Sequence, residues 1–184
     1  EDECGVCNGD GIEDECGVCN GDGSSCDLDC DVGVCLNLFN VDTDAGTLDI
    51  YMTNQPGCTI IEIDGFVFYP DMSETDCEDD GVWFNGEVAG FQFQLFGITV
   101  TGSSGGSAED NGFTIIAQAS NYNAETDTQL PNILAFSLTG ATISPGENQL
   151  LTTVNFTDFQ DEGICFGTEN SCLGASANAI SDSN

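Results

Sequence analysis

The chain has no positively charged side chain of any kind. Its 184 residues include 33 Asp and Glu but no Lys, Arg or His, which gives a formal net charge of −33 at pH 7. Side-chain ion pairs therefore cannot form, and the compact state must withstand a self-repulsion that salt screens only beyond about 8–10 Å. Bound cations would offset this repulsion, and carboxylate and carbonyl oxygens favour Ca²⁺ as that cation.

The same absence excludes several classes of function. No cationic surface is available for DNA, RNA or an anionic membrane. No imidazole or amine can act as a general base, a Schiff-base nucleophile or a metal ligand. Paired carboxylates can hydrolyse glycosides, but with 33 acids such pairs arise by chance. We expect a protein that is not an enzyme.

Composition also indicates where the chain works. Hydrophobic residues make up 40% of it, including 12 Phe, so a sizeable core is expected rather than disorder. The 11 cysteines lie among Gly, Asn and Asp, which favours disulfides in an extracellular or cell-surface setting. No apolar run approaches the roughly 20 residues that span a bilayer. The start at Glu1-Asp2-Glu3 suggests a mature or excised segment.

A tandem repeat opens the chain. Residues 1–12 read EDECGVCNGDGI and residues 13–24 read EDECGVCNGDGS, and a partial third unit follows. This arm has almost no large apolar residues, so disulfides and metal must order it. We therefore expect two parts, a Cys/Asp-rich arm over residues 1–31 and a β-domain over residues 32–184 with an insertion at about 56–86.

The repeats carry oxygen ligands at alternate positions around glycines. That spacing is how a loop wraps Ca²⁺, whereas the alternative is a flexible acidic linker. The predicted ligands are Asn8, Asp10, the Ile12 carbonyl and Asp14 in the first unit, then Asn20, Asp22, Ser24 and Asp27 or Asp29 in the second.

Two further acidic segments are weaker candidates for calcium. Asp42 and Asp44 precede Gly46, with Asp49 beyond, although Asp and Gly also favour a plain hairpin turn. The acidic run over residues 71–80 is more typical of a solvated loop.

From about Val32 the sequence alternates apolar and polar residues with the period of half-buried strands. Gly-, Ser- and Asn-rich turn signals separate these runs, and no convincing helix is visible. The pattern predicts an all-β sandwich. The predicted inward sets are Leu48, Ile50 and Met52; Ala89, Phe91, Phe93 and Leu95; Phe113, Ile115 and Ala117; Leu134, Phe136 and Leu138; and Thr152, Val154 and Phe156.

These motifs resemble known secreted proteins. The CGVCNGDG units resemble Cys- and Asp-rich repeats of large secreted microbial proteins and, more loosely, thrombospondin type 3 calcium repeats. Residues 88–93, 102–113, 133–143 and 151–156 resemble the cohesin-like β-sandwich modules of the same proteins. The resemblance departs at residues 56–86. It implies a cohesin-like or jelly-roll sandwich in an extracellular scaffold or adhesion setting, without implying a reaction.

Sequential pairing of the cysteines is one possible connectivity, and bridges within each C-x-x-C are the alternative. Zinc at these motifs is disfavoured because the flanking carboxylates suit a harder ion. Cys4 is left over and would pair with an upstream unit or a neighbouring subunit. The sequential pairs are Cys7–Cys16, Cys19–Cys26, Cys30–Cys35, Cys58–Cys77 and Cys165–Cys172.

One strict N-glycosylation sequon is present, Asn155-Phe156-Thr157. It falls in a predicted strand on which Asn155 points away from the core.

Two functions fit these features. The first is a structural subunit of an extracellular filament or surface fibre, with copies of itself or neighbouring modules as partners, assembled head-to-tail through the arm. The alternative is an extracellular adhesion module that binds glycans or proteins. Neither binds nucleic acid or inserts into a membrane. The aromatic candidates for a sugar platform are Tyr51, Tyr69, Trp83, Phe84 and Tyr122.

Overall fold

The computed structural model describes residues 30, 32–63, 65–77, 81–118, 121–123, 128–130, 132–159, 163–166 and 179–182. The chain divides into two units, Glu1–Asp31 and Val32–Asn184. Every element described below belongs to the second unit.

The described elements are almost all strands, which confirms the all-β prediction. They are β1 (Val34–Asp42), β2 (Thr47–Asn54), β3 (Gly57–Glu62), β4 (Gly65–Tyr69), α1 (Glu74–Cys77), β5 (Gly81–Phe84), β6 (Val88–Phe93), β7 (Leu95–Phe96), β8 (Thr99–Ser104), α2 (Gly106–Asp110), β9 (Thr114–Ala117), β10 (Asn121–Asn123), β11 (Thr128–Leu130), β12 (Ile133–Phe136), β13 (Gly146–Thr157), β14 (Cys165–Phe166) and β15 (Ala179–Asp182).

Two four-stranded antiparallel sheets form the body of the fold. Their strand orders are β1-β2-β13-β8 and β15-β6-β12-β9. Apolar residues of both sheets, such as Ile50 from the first and Phe93 from the second, belong to one buried cluster. Two sheets that share one core in this way form a β-sandwich.

The strand β2 shows how the alternation of the sequence becomes burial. Leu48, Ile50 and Met52 are fully buried, and the residues between them are half-buried. Successive side chains of a strand point to opposite faces, so one apolar set enters the core while the polar set faces outward.

The predicted inward face of β12 was wrong. The alternation of the sequence predicts that Leu134, Phe136 and Leu138 point inward, whereas the structure buries Ile133 and Ala135 and leaves Leu138 80% exposed. Both alternate sets of this strand are apolar, so alternation alone cannot select a face. Pairing with β6 decides it, because Ile133 lies opposite the buried Phe93.

The structure also contains two short helices that the sequence did not predict. Ser73 caps α1, since its hydroxyl accepts the backbone N–H of Asp76 at 3.2 Å. The helix α2 packs against β13 and buries Ala108. Helices of four and five residues are too short to show a helical period in the sequence.

A third sheet fills the insertion predicted at residues 56–86. It has the order β4-β3-β5, and β3 and β4 pair as an antiparallel hairpin. A disulfide between Cys58 on β3 and Cys77 on α1 fastens the helix to the sheet, as the sequential pairing predicted. Gly81 lies against this bridge, because an added Cβ would approach the Cys58 sulfur to 2.4 Å.

The buried side chain of Asn54 ties two loops and β13 to the end of β2. It is 1% exposed. Its Nδ2 donates to the carbonyls of Gly86 at 2.5 Å and Ser144 at 3.1 Å. Its Oδ1 accepts from Gln149 Nε2 at 2.5 Å. Because water cannot replace these partners, the network fixes the junction between the sandwich and the third sheet.

We predict that Asn54→Leu lowers the free energy of unfolding by about 1–3 kcal/mol, because the substitution removes the donor to the buried Gly86 carbonyl. Urea denaturation of unglycosylated protein measures the change. Asn155→Leu, at an exposed position of β13, is the matched control and should stay within about 0.5 kcal/mol of wild type. Equal losses in the two variants would contradict the role of the network.

We also predict that the double substitution Cys58→Ala/Cys77→Ala costs about 2–4 kcal/mol, because it frees a loop that the bridge closes. The loss should be local to the third sheet. Amide hydrogen exchange should show weaker protection in β3, β4 and β5 while β2 and β13 keep theirs. Uniform loss of protection across both regions would show instead that the bridge stabilises the whole domain.

Candidate functional site

The Asp42–Asp49 segment forms a hairpin turn between β1 and β2. Asp42 Oδ1 accepts the backbone N–H groups of Asp44 at 3.0 Å and Ala45 at 2.8 Å. The Gly46 N–H donates to the Asp42 carbonyl at 2.8 Å, and Gly46 adopts a φ of 68°. An added Cβ at Gly46 would approach the Phe156 carbonyl oxygen to 2.4 Å, so this position requires glycine.

The carboxylate of Asp49 is also engaged by protein donors. Its Oδ1 accepts the Thr153 hydroxyl at 2.6 Å, and its Oδ2 accepts Asn40 Nδ2 at 2.9 Å. Asp42, Asp44 and Asp49 do not form a common set of ligands, and no group of three acidic or thiol side chains in the described ranges is placed to hold a metal ion. Of the two interpretations of this segment, a plain hairpin turn fits the structure, because the Asp42 side chain closes the turn by itself.

The predicted calcium ligands of the repeats lie outside the described residues, and so does most of the predicted cysteine pairing of the arm. Those ligands remain predictions at Asn8, Asp10, Ile12, Asp14, Asn20, Asp22, Ser24, Asp27 and Asp29. The cysteines outside the description are Cys4, Cys7, Cys16, Cys19, Cys26 and Cys172.

The described part of the chain contains disulfide bonds. Besides the Cys58–Cys77 bridge, Cys30, Cys35 and Cys165 are each disulfide-bonded. Because such bridges persist in oxidising compartments, they indicate a protein that matures outside a reducing cytosol. A search of the described helices finds none with the length and apolar character needed to cross a bilayer.

The sequon asparagine is accessible. Asn155 is exposed on β13, and so is Thr157 of the same tripeptide. Glycosylation at Asn155 stays a prediction, and the strand presents the side chain to solvent as that prediction requires.

The aromatic residues singled out as a sugar platform are divided between two sheets. Tyr51 packs edge-to-face on Phe39 in the sandwich, with ring centroids 5.3 Å apart. Tyr69 and Trp83 lie on either side of Cys58 in the third sheet, on the face that bears the disulfide. Phe84 points to the opposite face, and the side chain of Tyr122 is outside the described part. These residues do not form one flat surface.

A short hydrogen bond distinguishes Tyr69 from the other aromatics. Its hydroxyl donates to Glu62 Oε1 on the neighbouring strand. The hydrogen bond to Glu62, together with desolvation and the negative charge of Glu62, raises the pKa of Tyr69 above its ordinary value of 10.0. This hydrogen bond links β3 and β4 on the face of the sheet that bears the disulfide.

The opposite face of the third sheet was missed by the sequence analysis. It exposes Ile61 on β3, Phe66 on β4 and Val82 on β5, and Ile63 lies in the loop of the hairpin. The stretch IIEIDGFVFY was noted as very apolar, but its exposure could not be read from composition. Large apolar side chains grouped on one surface typically mark an interaction site.

Comparison with known proteins adds no relative to this description. No family model, no curated protein and no solved structure matches the chain.

We predict that Glu62→Gln moves the ionisation of Tyr69 to lower pH, because it removes the charge that disfavours the phenolate. Tyr69 is neutral in the bond to Glu62, so the bond stabilises the fold below about pH 10 and is lost as the pH rises through the raised pKa of Tyr69. Ultraviolet titration of the tyrosines, with Tyr69→Phe to assign the transition, measures the shift. Identical titration curves for wild type and Glu62→Gln would contradict the assignment.

Proposed function

We propose that the chain is a structural subunit of an extracellular filament or surface fibre. Its β-sandwich, of the cohesin-like or jelly-roll kind, is the body of the subunit, and the repeat arm joins it head-to-tail to the next copy. Ca²⁺ and disulfides stabilise the arm, and Cys4 pairs with a neighbouring unit. The role is mechanical rather than catalytic.

The architecture supports such a role because the fold is stabilised by pairing between strands that are far apart in the sequence. The two sheets are closed by antiparallel ladders between strands far apart in sequence, such as β2 with β13 and β6 with β15. Disulfides add covalent constraints at both ends of the domain sequence, at Cys35 and Cys165. A subunit that bears load in an oxidising medium needs this kind of construction.

The observation that carries the proposal is a pair of uncharged sheet edges. Within the described residues, β8 pairs only with β13 and β9 pairs only with β12, so each ends its sheet. Their sequences, TVTGSS and TIIA, contain no acidic residue although the chain has 33. Natural proteins protect exposed edges with charge, and an edge without charge favours pairing with another strand.

A segment of the next subunit would pair with one of these two edges. Strand addition uses main-chain hydrogen bonds, so it needs no complementary charge on either partner. A contact between the arm of one copy and the edge of another is heterologous, and a heterologous contact that does not close makes a fibre. Ca²⁺ held by the arm offsets the repulsion between neighbouring acidic subunits.

The second candidate is an adhesion module that binds another protein. The exposed apolar face of the third sheet favours it. One polypeptide can combine both roles, since this face and the β8–β9 edges belong to different sheets.

We predict that the purified chain forms filaments in millimolar Ca²⁺, visible by negative-stain electron microscopy, and that a chelator disperses them. Thr101→Asp/Thr114→Asp adds charge at exposed positions of β8 and β9 and should abolish filaments while leaving the circular dichroism of the subunit unchanged.

Thr139→Asp places the same charge at an exposed loop position outside these edges and is the matched control. It should polymerise as wild type does. Monodisperse particles of the wild type in Ca²⁺, or filaments of the edge variant that equal those of the control, would contradict the proposal.

A further inference from the structure

The two faces of the β3–β4–β5 sheet differ in what covers them. One face carries the Cys58–Cys77 bridge and the Tyr69–Glu62 bond. Strand alternation and register place Thr59, Ile61, Phe66, Phe68, Val82 and Phe84 on the other face. Every one of these residues except Thr59 is apolar.

The inner half of this second face is packed against the domain. Phe68 and Phe84 lie so close to Gly33 that an added Cβ there would approach their rings to 3.3 Å and 2.7 Å. Phe68 lies closer still to Gly57, where an added Cβ would approach its ring to 2.4 Å. The two glycines therefore let the rings pack closely against the backbone, and this half of the face is anchored.

The outer half of the face has no such cover. Ile61 is 74% exposed, Phe66 is 78% exposed and Val82 is 72% exposed. Ile61 and Phe66 are direct cross-strand partners, and Val82 pairs with Thr59, two residues from Ile61 on the same face. Side chains related in this way are within about 8 Å of each other, so they form one continuous surface. We name Ile61, Phe66 and Val82 the apolar patch.

The patch lies on a segment with a strong negative charge and no positive one. Glu62 follows Ile61 directly and is exposed, and Asp71, Glu74 and Asp76 are exposed nearby in the sequence. The acidic residues of the segment are Glu62, Asp64, Asp71, Glu74, Asp76, Glu78, Asp79 and Asp80. The side chain of Glu62 points to the opposite face, so the charge that bears on the patch is the net charge of −33 of the whole chain. An apolar patch on a protein of this charge is complementary to an apolar surface flanked by cations.

We propose that the apolar patch is a docking surface for a second protein that presents apolar side chains flanked by Lys or Arg. Burying Ile61, Phe66 and Val82 supplies the affinity, since large side chains at the centre of an interface carry most of its binding energy. The net negative charge of the chain attracts the basic residues of the partner and disfavours acidic surfaces.

The partner is a different chain because this chain cannot supply the complementary charge. A second copy also has a net charge of −33 and no cation, so two patches in contact would bring two acidic segments together, and the Ca²⁺ that we propose to offset repulsion between subunits is assigned to the arm rather than to this sheet. The repeat arm is equally acidic and its large apolar residues are few. An anionic lipid surface is repelled for the same reason, whereas a basic protein is attracted over a distance set by the ionic strength.

The edges of the sheet suit a strand-shaped partner. Within the described residues, β4 and β5 are the outer strands of the third sheet, and their sequences GFVFY and GVWF carry no charge. A partner strand paired with either edge would place alternate side chains beside the patch and the others on the opposite face. The inference does not depend on filament formation, which we assign to other edges.

The test uses three synthetic peptides with the full-length chain, because any polycation is attracted to a protein of this charge. One peptide alternates Phe or Val with Lys, the second replaces the apolar residues by Ser, and the third replaces Lys by Glu. Fluorescence anisotropy in moderate salt measures each affinity. Zwitterionic phosphatidylcholine vesicles are tested in parallel, and sedimentation reports self-association.

We expect the apolar cationic peptide to bind at least about tenfold more tightly than the Ser/Lys peptide, with no binding of the Glu peptide or of vesicles. Ile61→Ser/Phe66→Ser should weaken that binding about tenfold. Leu138→Ser removes an equally exposed apolar side chain on the sandwich and should change nothing. Because all these positions are exposed, the variants should keep the circular dichroism of wild type.

Four results would overturn the proposal. They are equal affinity for the Ser/Lys and the apolar cationic peptides, equal loss in the Ile61→Ser/Phe66→Ser and Leu138→Ser variants, binding to vesicles that depends on the patch, and self-association that the patch variant abolishes. Hydrogen exchange of wild type with the bound peptide is the second readout. Protection outside β3, β4 and β5 would also count against it.

Discussion

The fold must be held together without a single ion pair between side chains. With 33 carboxylates and no basic residue, every long-range electrostatic term between side chains opposes the compact state. What remains is burial and hydrogen bonding. The core shared by the two sheets and the ladders of β2, β6, β12 and β13 supply both, and nearly all of the buried side chains are neutral.

The carboxylates that form hydrogen bonds within the protein accept them from neutral donors. Asp42 accepts backbone N–H groups in the β1–β2 turn, and Glu109 accepts the Gly105 N–H at the start of α2. Asp49 accepts the Thr153 hydroxyl, and Glu62 accepts that of Tyr69. In each case the acid closes a turn or joins adjacent strands at the surface, where water still solvates its charge. The negative residues therefore add local order without being buried.

The sequence predicted the parts of the fold that depend on period. The sets Leu48/Ile50/Met52 and Thr152/Val154/Phe156 are buried as expected, because each strand has one apolar and one polar face. The same logic failed at β12, where both faces are apolar, and at the third sheet, where Phe66 and Phe68 share a face but only Phe68 meets Gly33. In the third sheet, the burial of a side chain depends on which part of the sheet packs against the domain. The local sequence pattern does not contain that information. At Asp42 the spacing of acidic residues could not separate a calcium site from a turn, because residues spaced to wrap a cation also close a hairpin.

We propose that oxygen-bound Ca²⁺ provides the positive charge that the polypeptide lacks. The most direct measurement is the free energy of unfolding of the full chain in CaCl₂ and in NaCl at matched ionic strength. If Ca²⁺ binds at defined sites, stability rises further in CaCl₂ and saturates with concentration, as linkage requires. Two curves that coincide at every ionic strength would show that salt acts by screening alone and that bound Ca²⁺ does not supply the missing charge.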